Sequence, residues 1–109
     1  MNVRELAERF GLSVVAGKAG LDKVVQGGYC GDLLSEIMGN ADSGCVWLTV
    51  QTHQNIVAVA VLREMAAIVV TGGASPSPET VDKAETEGVP LLTYPGSSFV
   101  LSGKIYAEF

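Results

Sequence analysis

The chain has 109 residues, one domain's worth, and a chain of that size buries roughly two-thirds of its unfolded surface around a single core. Hydrophobic residues make up 48% and charged residues 17%, which argues against disorder and leaves little polar material to cover a small globule, so an oligomer or a covered face is expected. The formal net charge is −5, and the seven basic residues, Arg4, Arg9, Lys18, Lys23, Arg63, Lys83 and Lys104, are scattered, so neither a nucleic-acid surface nor an anionic-membrane patch is expected.

The first predicted element is a helix capped by Asn2, running through Leu6, Ala7 and Phe10 and stopped by Gly11. Leu12 to Ala16 is a short Val-rich run that suits a strand. Gly17 to Gly20 is a turn. Val24 and Val25 begin a second extended piece that reaches Cys30 through Gly27 and Gly28. Gly31-Asp32 then opens a helix. Leu33, Leu34, Ile37 and Met38 share its inner face, Asp32 is its N-cap, and Gly39-Asn40 closes it.

Cys45 to Val50 reads as a strand covered on both faces. Thr52 follows as a candidate N-cap. Ile56 to Leu62 is a continuous apolar run whose β-branched content also permits a strand. Loop lengths favour a buried helix of about three turns from Gln54 to Met65. Ala67 to Val70 is a further buried strand ending in Thr71-Gly72-Gly73. Ser77 and Pro78 mark an N-cap and first helical residue. That helix continues through Val81 and Ala84 to Gly88, with Asp82, Glu85 and Glu87 as a solvated face. Pro90 to Thr93 is a last strand, and Tyr94-Pro95-Gly96 a turn. A terminal helix, Ser98 to Tyr106, is expected to turn Phe99, Leu101 and Ile105 inward. Strands alternating with helices imply an α/β fold with a mainly parallel sheet and flanking helices.

Cys30 and Cys45 have no metal-site spacing and are expected to be reduced, buried hydrophobes in a cytoplasmic protein. The charged start, Met1 to Glu5, reads as a helix rather than a signal segment, and no apolar run approaches the ~20 residues of a membrane span. No metal or cofactor is implied. Gly17-Lys18-Ala19 lacks the Ser or Thr that follows a phosphate-loop lysine, Leu12 stands where that motif needs glycine, and no Gly-x-Gly-x-x-Gly occurs.

The candidate binding residues gather where the strands end, since ligands of open α/β sheets bind outside the strand carboxyl ends. Thr71, Gly72 and Gly73 offer backbone amides to an anion, or else form a tight turn. Asp32 is a polar ligand contact or a helix cap. His53, the only histidine, lies beside Thr52 after a strand. It reads as a ligand contact or a helix-start residue, and no nucleophile or carboxylate stands at a catalytic spacing from it. Ser97 and Ser98 begin a helix, as anion donors or as caps. No catalytic residue is assigned.

Several of these pieces occur in a characteristic order: Gly31-Asp32, then Ala67-Ile68-Val69-Val70 with Thr71-Gly72-Gly73. Pro78 to Pro90 follows, a helix ending Glu-Gly-Val-Pro, and then Leu91-Leu92-Thr93 before Phe99. In this order, from Val24 to Tyr106, the chain resembles the DRTGG domain family, and residues 1–109 are expected to form a single such domain. The family is similar to the amino-terminal domain of HPr kinase/phosphorylase. It also occurs inside regulatory pyrophosphatases between CBS repeats, and fused to other enzymes. The resemblance implies a non-catalytic regulatory or assembly module, a homodimer accompanying a partner enzyme. The kinase chemistry of that relative resides in a separate phosphate-loop domain. The alternative is a sensor that binds a small anionic ligand or nucleotide at the strand ends. Leu33 replaces the family's expected arginine and the Ser97-Ser98 region its carboxylate; both changes remove polar function from that edge.

Overall fold

The central strands are short and, apart from Thr49, apolar, so each must be covered on both faces. The computed structural model describes residues 1–109 and shows this arrangement. In chain order the elements are α1 (Val3–Phe10), β1 (Ser13–Ala16), a 3-10 turn (Lys18–Gly20), β2 (Gly27–Cys30), α2 (Leu34–Asn40), β3 (Cys45–Thr49), α3 (Asn55–Leu62), β4 (Ala67–Val70), α4 (Pro78–Glu87), β5 (Leu91–Thr93) and α5 (Ser98–Tyr106). One five-stranded sheet runs β1-β5-β4-β3-β2. β2 to β5 are mutually parallel, and β1 pairs antiparallel with β5. The fold is thus α/β and mostly parallel, as expected.

Side-chain alternation splits the core into two layers. Trp47, Ile68, Val70 and Leu91 face Ile37 of α2, Ile56, Val57 and Ala60 of α3, and Ala84 of α4. Val46, Leu48, Val69 and Leu92 face Val3 and Leu6 of α1, with Leu101 and Ile105 of α5. The parallel strands step in one direction across the sheet, so their three connecting helices all fall on one face. The other face is left to the first and last helices.

Several boundaries differ from the sequence reading. Strand pairing begins at Ser13 and Gly27 rather than Leu12 and Val24; Val24 makes only an isolated bridge to Asn2. Helix α3 ends at Leu62, short of Met65, and Glu64 takes a left-handed φ of 52°. Leu33 precedes α2 and is 65% exposed. Phe99 is 87% exposed rather than inward. At about 100° per residue, a residue two places before Leu101 falls on the far side of the helix.

The two cysteines also part company: Cys45 is buried and Cys30 is exposed on the sheet edge. Burial, with Asp42 nearby, pushes the Cys45 thiol above its ordinary value. In the native chain at high dilution a thiol reagent at neutral pH is therefore expected to modify Cys30 and spare Cys45, since the thiolate is the reacting form. In denaturant both should react. Mass spectrometry reads the difference, and native modification at Cys45 would contradict the packing. No helix is long and apolar enough to cross a membrane.

Candidate functional site

The strand carboxyl ends bring together the segments that carry every candidate residue, and several of the polar groups there bond to one another. Asp32 does not cap α2, whose N-cap is Leu33 without a side-chain bond. Its Oδ1 instead accepts from the Thr49 hydroxyl and from the Val50 amide, both at 2.8 Å. The Gln51 amide group donates to the Asp32 carbonyl at 3.0 Å. The carboxylate therefore ties the end of β2 to the end of β3. Behind it, the Trp47 indole Nε1 donates to the Gly31 carbonyl at 2.9 Å and fixes that turn from the core.

Thr52 does not cap α3 either; the cap position is Gln54. The Thr52 carbonyl accepts from the Ser77 amide at 3.2 Å and from the Thr80 hydroxyl at 2.6 Å. Thr80 is fully buried, so this contact pins the β3–α3 loop to the first turn of α4. Exposed His53 accepts the Asn55 amide on Nδ1 at 3.1 Å. That bond places the proton of the neutral ring on Nε2.

Thr71 is fully buried. Its Oγ1 donates to the Thr49 carbonyl at 3.4 Å, and Ser98 Oγ lies 2.5 Å from it. One of these two hydroxyls donates to the other, and the pair joins the end of β4 to the start of α5. Gly72 and Gly73 both have positive φ, as a tight turn requires. Their amides donate to the carbonyls of Gly96 at 2.8 Å and Tyr94 at 3.2 Å. The glycine turn is thus stitched to the β5–α5 loop. Ser97 caps α5, accepting the Val100 amide at 3.2 Å.

Among the parallel strands the order never reverses, and such a reversal is what opens a ligand crevice in α/β sheets. The predicted acidic face of α4 also departs in one place: Glu85 accepts the Gly17 amide at 2.9 Å and holds the β1 turn. Sequence reasoning missed Thr49 and Thr80 as organisers of the edge, and read Ser98 as an anion donor or cap rather than as the partner of Thr71. Their signal was a hydroxyl at a strand end or first helical turn, which is common in any chain.

Asp32→Ala removes an acceptor from two donors, one of them on buried Thr49. The expected loss is about 1–3 kcal/mol. Asp32→Asn keeps an oxygen in place and should recover most of it. Urea unfolding of the pair is the check, and equal losses would mean that charge rather than the acceptor geometry holds the turn.

Across the sheet edge, the Tyr29 hydroxyl donates to Glu36 Oε1 at 2.8 Å and links β2 to α2. That bond holds the phenol above the ordinary tyrosine value.

Three comparisons bear on identity. No curated protein matches the chain by sequence. Among solved structures, the chain is similar to the CBS and DRTGG domains of the regulatory region of Clostridium perfringens pyrophosphatase, complexed with its activator diadenosine tetraphosphate. The TM-score is 0.69 at 15% identity, over 96% of this chain and 46% of that one. The chain thus spans just under half of that neighbour's length, and the likeness is one of fold. The DRTGG domain model matches residues 5–107, further toward the amino terminus than the motif order alone reaches, taking in most of α1 and all of β1. With the glycine turn, the Asp32 clasp and the sheet all inside that match, the chain belongs to the DRTGG domain family.

Proposed function

We propose that residues 1–109 form a single non-catalytic regulatory or assembly module, homodimeric, which accompanies a partner enzyme in the cytoplasm. One observation carries the reading. The Asp32 carboxylate, the Thr71 hydroxyl and the Gly72 and Gly73 amides are engaged within the chain, while Phe99, Tyr106 and Phe109 stand 87%, 80% and 60% exposed. Catalysis needs a nucleophile and base within reach of each other and free to move a proton. His53 uses Nδ1 for a backbone amide, and no carboxylate orients it. Exposed aromatic clusters mark contact surfaces instead. The pyrophosphatase neighbour adds support, since a module of this fold belongs there to a regulatory region.

The test is the molar mass by light scattering across the micromolar range. A two-chain mass that dissociates on dilution supports the reading, and a single-chain mass throughout contradicts it.

The second reading is a sensor of a small anionic ligand or nucleotide through Asp32, Thr52, His53, Thr71, Gly72, Gly73 and Ser97. Its support is the nucleotide activator held by the neighbouring regulatory region. A ligand that binds only the folded chain at 100 times its Kd adds about 2.7 kcal/mol of stability. Thermal melting with nucleotides and inorganic phosphate therefore distinguishes the two readings. A raised Tm favours the sensor, and an unchanged Tm favours assembly.

A further inference from the structure

Helix α5 presents two faces of different character. Leu101 and Ile105 are buried against the sheet. Phe99, Ser102, Gly103 and Tyr106 fall at i, i+3, i+4 and i+7, so they form one stripe along a second face. The stripe has an aromatic ring at each end and small residues at its middle. The midpoint between Phe99 and Tyr106 lies between Ser102 and Gly103.

Nothing inside the chain accounts for this stripe. Both rings are four-fifths exposed or more. A Cβ added at Gly103 would meet no atom within 4 Å, so the chain's own packing does not require glycine there. Apart from proline, glycine is the weakest helix former. A glycine on an open helix face fits a second body that approaches the backbone closely.

Beside the stripe runs a groove of about 110 Å³ between α5 and the β2 edge, lined by Cys30, Leu48, Ser102, Ile105, Tyr106 and Phe109 among others. It falls short of the roughly 300–1,000 Å³ typical of metabolite pockets. It is nearer the size of one aromatic ring.

From these features we infer that a second copy of this chain packs on α5 about a two-fold axis through Ser102 and Gly103. The helices cross antiparallel, Phe99 of each copy lies against Tyr106 of the other, and its ring enters the other's groove. This rests on the homodimeric reading above and assigns the surface. A two-fold contact must be self-complementary, and a stripe with matching ends and a small centre is so. The stripe carries no formal charge, which lets two chains of net charge −5 meet there. The exposed parts of the three rings offer roughly 450 Å² per copy, taking about 200 Å² for each whole side chain. That is about half of the ~800 Å² each partner gives to a standard interface. Ser102, Gly103, Val100 and the groove wall supply further area.

Sedimentation velocity on the 109-residue chain tests the assignment with three variants. Phe99 and Gly103 are exposed and the added atoms meet open space, so Phe99→Asp and Gly103→Glu should keep the native circular dichroism. Each substitution enters the dimer twice, Gly103→Glu at the axis and Phe99→Asp at the two aromatic ends of the stripe, and is expected to raise the dimer Kd at least about 100-fold. Leu62→Asp alters an apolar residue 69% exposed on α3, away from the stripe, and should leave the Kd within about three-fold of wild type, the size of an ordinary surface change. A wild-type dimer that survives both α5 variants overturns the assigned surface and leaves the homodimer standing. Loss of the dimer on Leu62→Asp overturns it too. A wild-type chain that never dimerises overturns both.

Discussion

Trp47→Ala is expected to destabilise the chain by about 3–5 kcal/mol, the usual range for removing a fully buried tryptophan. Trp47 is wholly buried on the interior strand β3, between β4 and β2. It belongs to the same core layer as Ile37, Ile56 and Ile68, so its loss leaves a cavity between the sheet and two helices. For a domain near 100 residues this corresponds to a fall in Tm of roughly 12–30 °C. The ring also has a positional role through its bond to the Gly31 carbonyl. Trp47→Phe separates the two effects. It keeps most of the volume and loses the donor, for an expected cost of about 1–3 kcal/mol. Chemical unfolding of both variants checks the order. A phenylalanine variant as unstable as the alanine one would assign the effect to the hydrogen bond rather than to packing.

The second large effect is expected at Gly17, where β1 turns toward the 3-10 segment. Its φ is +77°, a conformation that costs an L side chain about 1–2 kcal/mol by itself. An added Cβ would also lie 1.9 Å from the Val89 carbonyl oxygen and 2.6 Å from the Pro90 nitrogen. Those are backbone atoms leading into β5, so no rotamer change relieves the overlap. Gly17→Ala must push β1 and its turn away from the α4–β5 connection and break the bond from the Gly17 amide to Glu85. The expected loss is at least about 3 kcal/mol, in the range of strained-backbone and overpacking substitutions. Gly11→Ala is the comparison. Its φ is similar at +66°, but a Cβ there meets nothing within 4 Å. Thermal melting should place it within about 1–2 kcal/mol of wild type. Equal losses at the two sites would show that φ rather than the close approach sets the cost at Gly17.

How far the sequence disclosed this structure depended on how local each determinant was. The strand read at Cys45 to Val50 was legible because its apolar run must be covered on both faces, although it ends at Thr49 and Val50 is half exposed. Helix α4 was legible from Ser77, Pro78 and Gly88, whose roles are set by neighbours along the chain. Asp32 and Thr52 were placed at the strand-end edge but given the wrong partners. Asp32 resembles an N-cap in one dimension, yet Thr49 and Val50, 17 and 18 residues on, lie closer in space. Such pairings depend on strand register, which no short motif records. Gly72 and Gly73 were legible as a turn, but the carbonyls that engage their amides come from another loop. Phe99 was misplaced because its hydrophobicity outweighed its angle on the helix. Its exposure is the feature that the assembly reading uses.

The central claim is that the strand ends are closed by the chain's own bonds while the α5 face is kept for another copy. Amide hydrogen exchange on the native chain, followed at two protein concentrations, tests both halves together. The Val50, Gly72 and Gly73 amides should be protected equally at either concentration, because their acceptors are Asp32, Gly96 and Tyr94 of the same chain. Protection across Ser98–Tyr106 should rise with concentration as copies associate. The contrary result is Gly72 and Gly73 exchanging at the rates of open loops and slowing only on addition of a nucleotide, with α5 indifferent to concentration. That pattern would make the strand ends a ligand site and contradict the account.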